Sequence, residues 1–294
     1  MRRTTGIAFL LLSSVVFCVA TNADDSGCPT SGFDEKTVPF QQYLVRTIRQ
    51  EGQGCIEVRK DGKAVYSEHD ALSYVIGNNA EDGAGNPTIK PGTSITGSGK
   101  PELVYSSWSG GAHCCFTFTV LQFGDKPRAV AKLKAMHSGG AHFADLNHDG
   151  TYEFVSNDWT FAYWHVSFAE SPAPAVIMAL RKDNEGSYQY RLDLDLMRKP
   201  APTPADLDQR IQKIRDDEAW KDGLNPALWT AMLELIYSGH PDLAWQVFDR
   251  AWPVSKPGKS GFLGAFCERL QTSEYFWDLA KSLENHPADC YLPK

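Results

Sequence analysis

The stretches "GSGKPELVYSSW" (97–108) and "HDGTYEFVSNDW" (148–159) share one grammar at an offset of 51 residues. Gly99 meets Gly150, Glu102 meets Glu153, Val104 meets Val155 and Trp108 meets Trp159. Each copy runs from a glycine turn through an acid and an alternating strand to a tryptophan. Alternation of apolar and polar residues is the mark of a half-buried strand. Its return at a fixed spacing predicts a repeated β unit.

Working outward, the chain from about Cys55 to Pro200 reads as β. "CIEVRKDGKAVYSE" is two alternating runs around Asp61-Gly62, a strong hairpin signal. Strand-like runs follow at 102–108, 115–123, 128–136, 152–159, 175–182 and 188–196, divided by turns rich in Gly, Asp, Asn and Pro. Tyr43 to Gln50 reads equally as strand or helix. After the proline-rich "RKPAPTPAD" (198–206) the period changes. Leu207, Ile211 and Ile214 form a helical stripe. Asn225-Pro226 then gives an N-cap and a first-turn proline ahead of Leu228, Met232, Leu235 and Ile236. Further helices are expected from Pro241, over 260–271 and over 274–284. The expected fold is α+β: a leader over 1–23, an antiparallel β domain over 24–200 and an α-helical domain over 201–294.

"DLNHDGTYE" (145–153) is the most specific motif. Asp145, Asn147 and Asp149 fall on alternate loop positions, Gly150 permits a sharp turn, Thr151 offers a carbonyl and Glu153 closes the set. Calcium takes six to eight oxygens at about 2.3–2.6 Å, and this spacing wraps five around one point. An EF-hand is excluded, because Ser156 stands where the bidentate glutamate belongs and a strand follows. A D-x-N-x-D-G-x-x-E loop leading into a strand resembles the calcium loops of FG-GAP/VCBS repeats in integrin-type β-propellers. That resemblance covers 94–108 and 145–159 well and the remaining β region loosely. It implies one Ca²⁺ held by Asp145, Asn147, Asp149, the Thr151 carbonyl and Glu153. The earlier copy carries Ser94, Thr96 and Ser98 in place of the acids, so it is expected to keep the turn and lack the ion. About 150 residues at this period supply only three blades, hence a small propeller or a sandwich of blade-like hairpins.

"WSGGAHCCF" (108–116) invites a catalytic reading, and SGGAH returns at 138–142. Neighbouring side chains on a strand point to opposite faces, so His113 is badly placed to activate Cys114. The sequence therefore favours a turn-and-disulfide element. His113, His137, His142, His148 and His165 crowd one region, yet no H-E-x-x-H spacing signals zinc. A hydrolase using His113 or His142 with a nearby acid or metal is the alternative function. It requires those histidines to converge in a pocket with Asp145 or Asp158. The aromatic run 158–174 is expected to pack between the β unit and the helices. A partner groove lined by Trp229, Trp245 or Trp252 is a third reading.

The first residues, MRRTTGIAFLLLSSVVFCVATNA, join two arginines, an apolar run and small residues, which is the pattern of a signal peptide cut after Ala20 or Ala23. Phe17 opposes a lipoprotein reading of Cys18. Cleavage after Ala23 takes the formal charge from −7 to −9. An acidic surface without a basic cluster argues against nucleic acid, and no later segment could span a bilayer. Cys28, Cys55, Cys114, Cys115, Cys267 and Cys290 remain, an even set that reads as disulfides in an exported chain. Cys267–Cys290 is the simplest pair. The others form either Cys28–Cys55 with a vicinal Cys114–Cys115 bond, or two links between the separated and the adjacent cysteines. The sequence thus describes an exported, calcium-stabilised, non-enzymatic binding or scaffold protein whose partner is an unidentified protein or glycan.

Overall fold

Alternating strands joined by tight turns build three four-stranded antiparallel meanders in the computed structural model, which describes residues 27–78, 89–112, 114–182, 187–283 and 290. The leader, His113 and most of the C-terminal tail lie outside the described residues. Sheet one comprises β1 (Asp34–Phe40), β2 (Tyr43–Gln50), β3 (Gln53–Lys60) and β4 (Lys63–Glu68), in that order. Tyr43–Gln50, ambiguous in sequence, is a strand because it pairs on both sides. Lys60 pairs with Lys63 across Asp61 and Gly62, whose φ values of 51° and 76° fit the primed turn that "DG" signals.

Sheet two comprises β5 (Ser73–Ile76), β6 (Glu102–Trp108), β7 (Phe116–Gln122) and β8 (Arg128–Met136). Sheet three comprises β9 (His142–Ala144), β10 (Glu153–Asn157), β11 (Ala175–Lys182) and β12 (Tyr188–Leu192). Sheet two is the middle layer. Leu103, Tyr105 and Leu121 face sheet one, whose Tyr43, Val45, Ile56 and Val58 share their cluster. Val104, Phe118 and Val120 face the other way, toward Phe143 and Phe154 of sheet three. Burial on both faces explains why β6 and β7 are so apolar. Among the described residues no strand ladder joins one sheet to the next, so the architecture is three stacked sheets rather than a closed barrel.

The helices follow: α1 (Leu194–Met197), α2 (Pro204–Arg215), α3 (Ala219–Asp222), α4 (Pro226–Tyr237), α5 (Pro241–Ala251), α6 (Lys259–Gln271) and α7 (Phe276–Leu279), with a 3₁₀ turn over Ala280–Leu283. Thr203 caps α2 and Asn225 caps α4, each with proline at the start of the helix. The strand expected over 188–196 stops at Leu192, because Asp193 accepts the amides of Asp195 and Leu196 and opens α1. Among the described residues no helix is long and apolar enough to cross a membrane.

The aromatic run after β10 joins the two halves. Phe161 meets Phe266 at 5.1 Å, and Trp164 meets Trp229 at 5.4 Å. Trp229, Trp245 and Trp252 are all buried, so the partner groove proposed for them does not exist. Their rings fill the shared core of helices and sheets instead.

Candidate metal centre

The loop between β9 and β10 is built by its own side chains. The Asp149 amide donates to Asp145 Oδ1 (3.1 Å) and to Asn147 Oδ1 (3.0 Å), and the Gly150 amide donates to Asp145 Oδ2 (3.2 Å). The Thr151 amide donates to Asp149 Oδ1 (2.7 Å), and that of Leu146 to Glu153 Oε2 (2.9 Å). Such side-chain-to-backbone bonds are what short polar residues offer a turn. His148 and Gly150 take positive φ values of 60° and 84°, which let the chain fold back on itself.

The acids that the motif names are thereby turned onto the loop's own backbone amides. Glu153 is 1% exposed. Burial pushes its carboxyl up from the usual glutamate value, and repulsion from Asp149 and Asp145 adds to that. Asn147 Nδ2 stands between acids, donating to Asp149 Oδ2 (3.0 Å) and Glu153 Oε1 (3.4 Å). As placed, the carboxylates serve backbone amides. Among the described residues no three His, Cys, Asp or Glu side chains are drawn close enough to share an ion.

The earlier copy has the same frame. The Gly99 amide donates to Ser94 Oγ (3.0 Å), as Gly150 does to Asp145. Glu102 Oε2 also receives a loop amide, that of Thr96 (2.8 Å), one position further along the repeat than Leu146, the donor to Glu153. Here hydroxyls surround the fully buried glutamate: Thr96 Oγ1 at 2.5 Å and Ser98 Oγ at 3.1 Å, joined by Gln122 Nε2 at 2.9 Å. The two loops touch, with the Tyr152 amide donating to the Ile95 carbonyl (2.9 Å).

The described residues of the two SGGAH segments lie at the opposite ends of these strands. Trp108 Nε1 donates to the Gly111 carbonyl (3.2 Å), and the Cys115 amide donates to Ser109 Oγ (2.7 Å). Ser138 Oγ receives Trp159 Nε1 (2.8 Å), and His142 Nδ1 lies 3.0 Å from the Gly140 carbonyl. His137 packs edge-on against Trp159 and Phe168, and His165 against Trp164. None of the three described cavities is lined by histidine. The convergence of histidines with Asp145 or Asp158 that a hydrolase needs is therefore not assembled among the described residues. The cysteines pair as Cys28–Cys55, Cys114–Cys115 and Cys267–Cys290.

Sequence reasoning missed the role of Asp158. This buried carboxylate receives the hydroxyls of Tyr237 and Ser273 and the Thr160 amide, tying sheet three to α4 and to the turn before α7. Nothing in its local sequence marks it, since both hydroxyl partners come from the helical third.

No protein-family model and no solved structure matches the chain. It is 36% identical over 150 residues to a probable thylakoid lumen protein of Synechocystis sp., covering 50% of this chain and 42% of that protein. It is 26% identical over 162 residues to an uncharacterized protein of Sinorhizobium fredii, covering 53% of this chain and 25% of the relative. The chain spans less than half the length of each. Neither likeness fixes a family.

Proposed function

We propose that this chain is an exported, calcium-stabilised binding or scaffold module without catalytic activity, built on repeats similar to FG-GAP/VCBS units. The observation that carries the reading is Glu153: a buried acid crowded by Asp145 and Asp149, with no described ion pair to neutralise the group. A cation bound by all three, with Asn147 and the Thr151 carbonyl, relieves that repulsion and holds β9 to β10. The ion is structural in this reading, since protein oxygens surround it. Export is supported by the leader-like N-terminus, the even cysteine set and the likeness to a probable thylakoid lumen protein. The matching bond patterns of the 94–102 and 145–153 loops support the repeat.

The test is a thermal melt of residues 24–294 with excess Ca²⁺ and with a chelator, beside Asp149→Ala. Ligand at 100 times its Kd adds about 2.7 kcal/mol. That raises the midpoint of the wild type by several degrees and leaves Asp149→Ala unmoved. Identical wild-type melts in the two conditions overturn the calcium reading.

A further inference from the structure

A second site lies beside the earlier loop, where β6 and β12 begin and β7 ends. There the structure holds a cavity of about 650 Å³, a volume typical of small-molecule sites. Lys100, from the loop, and Arg128, at the start of β8, both line it, and among the described residues no Asp or Glu does. The repeat shows how this lining arose. At the 51-residue offset, Ser98 and Lys100 stand where the later loop has Asp149 and Thr151, and Ser94 replaces Asp145. The frame that carries acids in one copy presents hydroxyls and a lysine in the other.

The acid that this copy keeps is bonded from within. Glu102 is fully buried, and its oxygens receive Thr96 N, Thr96 Oγ1, Ser98 Oγ and Gln122 Nε2. Gln122 in turn accepts from Arg128 Nη2 at 3.3 Å, which positions the guanidinium at the cavity. Arginine and lysine together form a donor pair suited to an oxyanion. On another wall Tyr188 is 62% exposed, and Lys182 Nζ lies 5.9 Å from its ring centre. An exposed ring beside polar donors gives a flat apolar surface on which a sugar ring stacks.

We infer that this cavity binds a small ring compound carrying a carboxylate or sulfate, of which an acidic sugar is the simplest case. Lys100 and Arg128 hold the oxyanion and Tyr188 carries the ring. The site adjoins the 145–153 loop, and none of the residues proposed to hold calcium lines it.

The test is calorimetric titration of residues 24–294 with glucuronate, with glucose as the uncharged control, in Tris–chloride so that no buffer oxyanion competes. Saturable glucuronate binding is expected, weakened at least tenfold by the double variant Lys100→Gln/Arg128→Gln and by raising the salt from about 0.05 M to 0.5 M. Both residues are exposed, and an unchanged melting temperature verifies that the double variant is folded. Absence of saturable glucuronate binding overturns the inference, as does equal affinity for glucose or equal affinity in the folded double variant.

Discussion

Asp158 carries more of the tertiary structure than any single residue of the proposed ion loop. Its carboxylate is the acceptor for two buried hydroxyls, 79 and 115 residues away. Asp158→Ala strands both, and losing the acceptor for two buried donors costs about 3 kcal/mol. Chemical denaturation of Asp158→Ala, Tyr237→Phe and the double variant checks this. The double variant is expected to lose less than the sum, because the two changes share one bond. Asp70 shows the opposite titration behaviour to Glu153. The hydrogen bond from Tyr74 (2.7 Å) holds its carboxyl below the usual 3.8, more strongly than partial burial raises it. A depressed carboxyl adds stability above its unfolded value and loses it as the pH falls through the folded one. Tyr74→Phe is therefore less stable than wild type at neutral pH, and the gap narrows below pH 3.8; urea midpoints across acid pH measure it.

At the level of elements, turn chemistry and alternation made most strands legible. Asp61-Gly62 set the β3–β4 register, and the paired loops marked β6 and β10. The strands that escaped, β5 (SYVI) among them, are short or have little pattern to read. β1 (DEKTVPF) is an exposed edge strand without a buried face, and β9 is three residues long. The packing of sheet one against the entry to β5 rests on one glycine. A Cβ on Gly54 would lie 2.6 Å from the Leu72 carbonyl oxygen, while the Gly54 amide donates to Ala71 O at 2.8 Å. Backbone has no rotamer with which to yield, so Gly54→Ala must separate the two segments. A loss of about 2 kcal/mol is expected, read as a lower urea midpoint. Gly62→Ala, whose Cβ meets nothing within 4 Å, is limited to the cost of its positive φ, about 1 kcal/mol.

Across the whole molecule, sheets two and three and the helices share one hydrophobic core. Phe161, Trp164, Trp229 and Phe266 interlock at its centre. A fragment ending at residue 200 leaves those apolar faces of the sheets open to water, so it is expected to bind a hydrophobic dye and to lack a sharp thermal transition. The full chain is expected to lose near- and far-ultraviolet circular dichroism together, as one cooperative unit. Two separate transitions would show instead that the halves fold independently.

The sequence by itself determined the features governed by neighbours along the chain. These are the alternating strands, the glycine and Asx turns, the helix caps, the change of period after 200 and the acid loop at 145–153. Each depends on a backbone conformation that a few consecutive residues impose. The tertiary structure alone decided what depends on layers meeting. It gave sheet two its two buried faces, made the tryptophans core rather than surface and brought Tyr237 and Ser273 to Asp158. It also gathered Lys100, Arg128 and Tyr188 around one cavity from three separate segments. The period of a strand says that its faces differ; only the packing of one sheet on another says what each face meets.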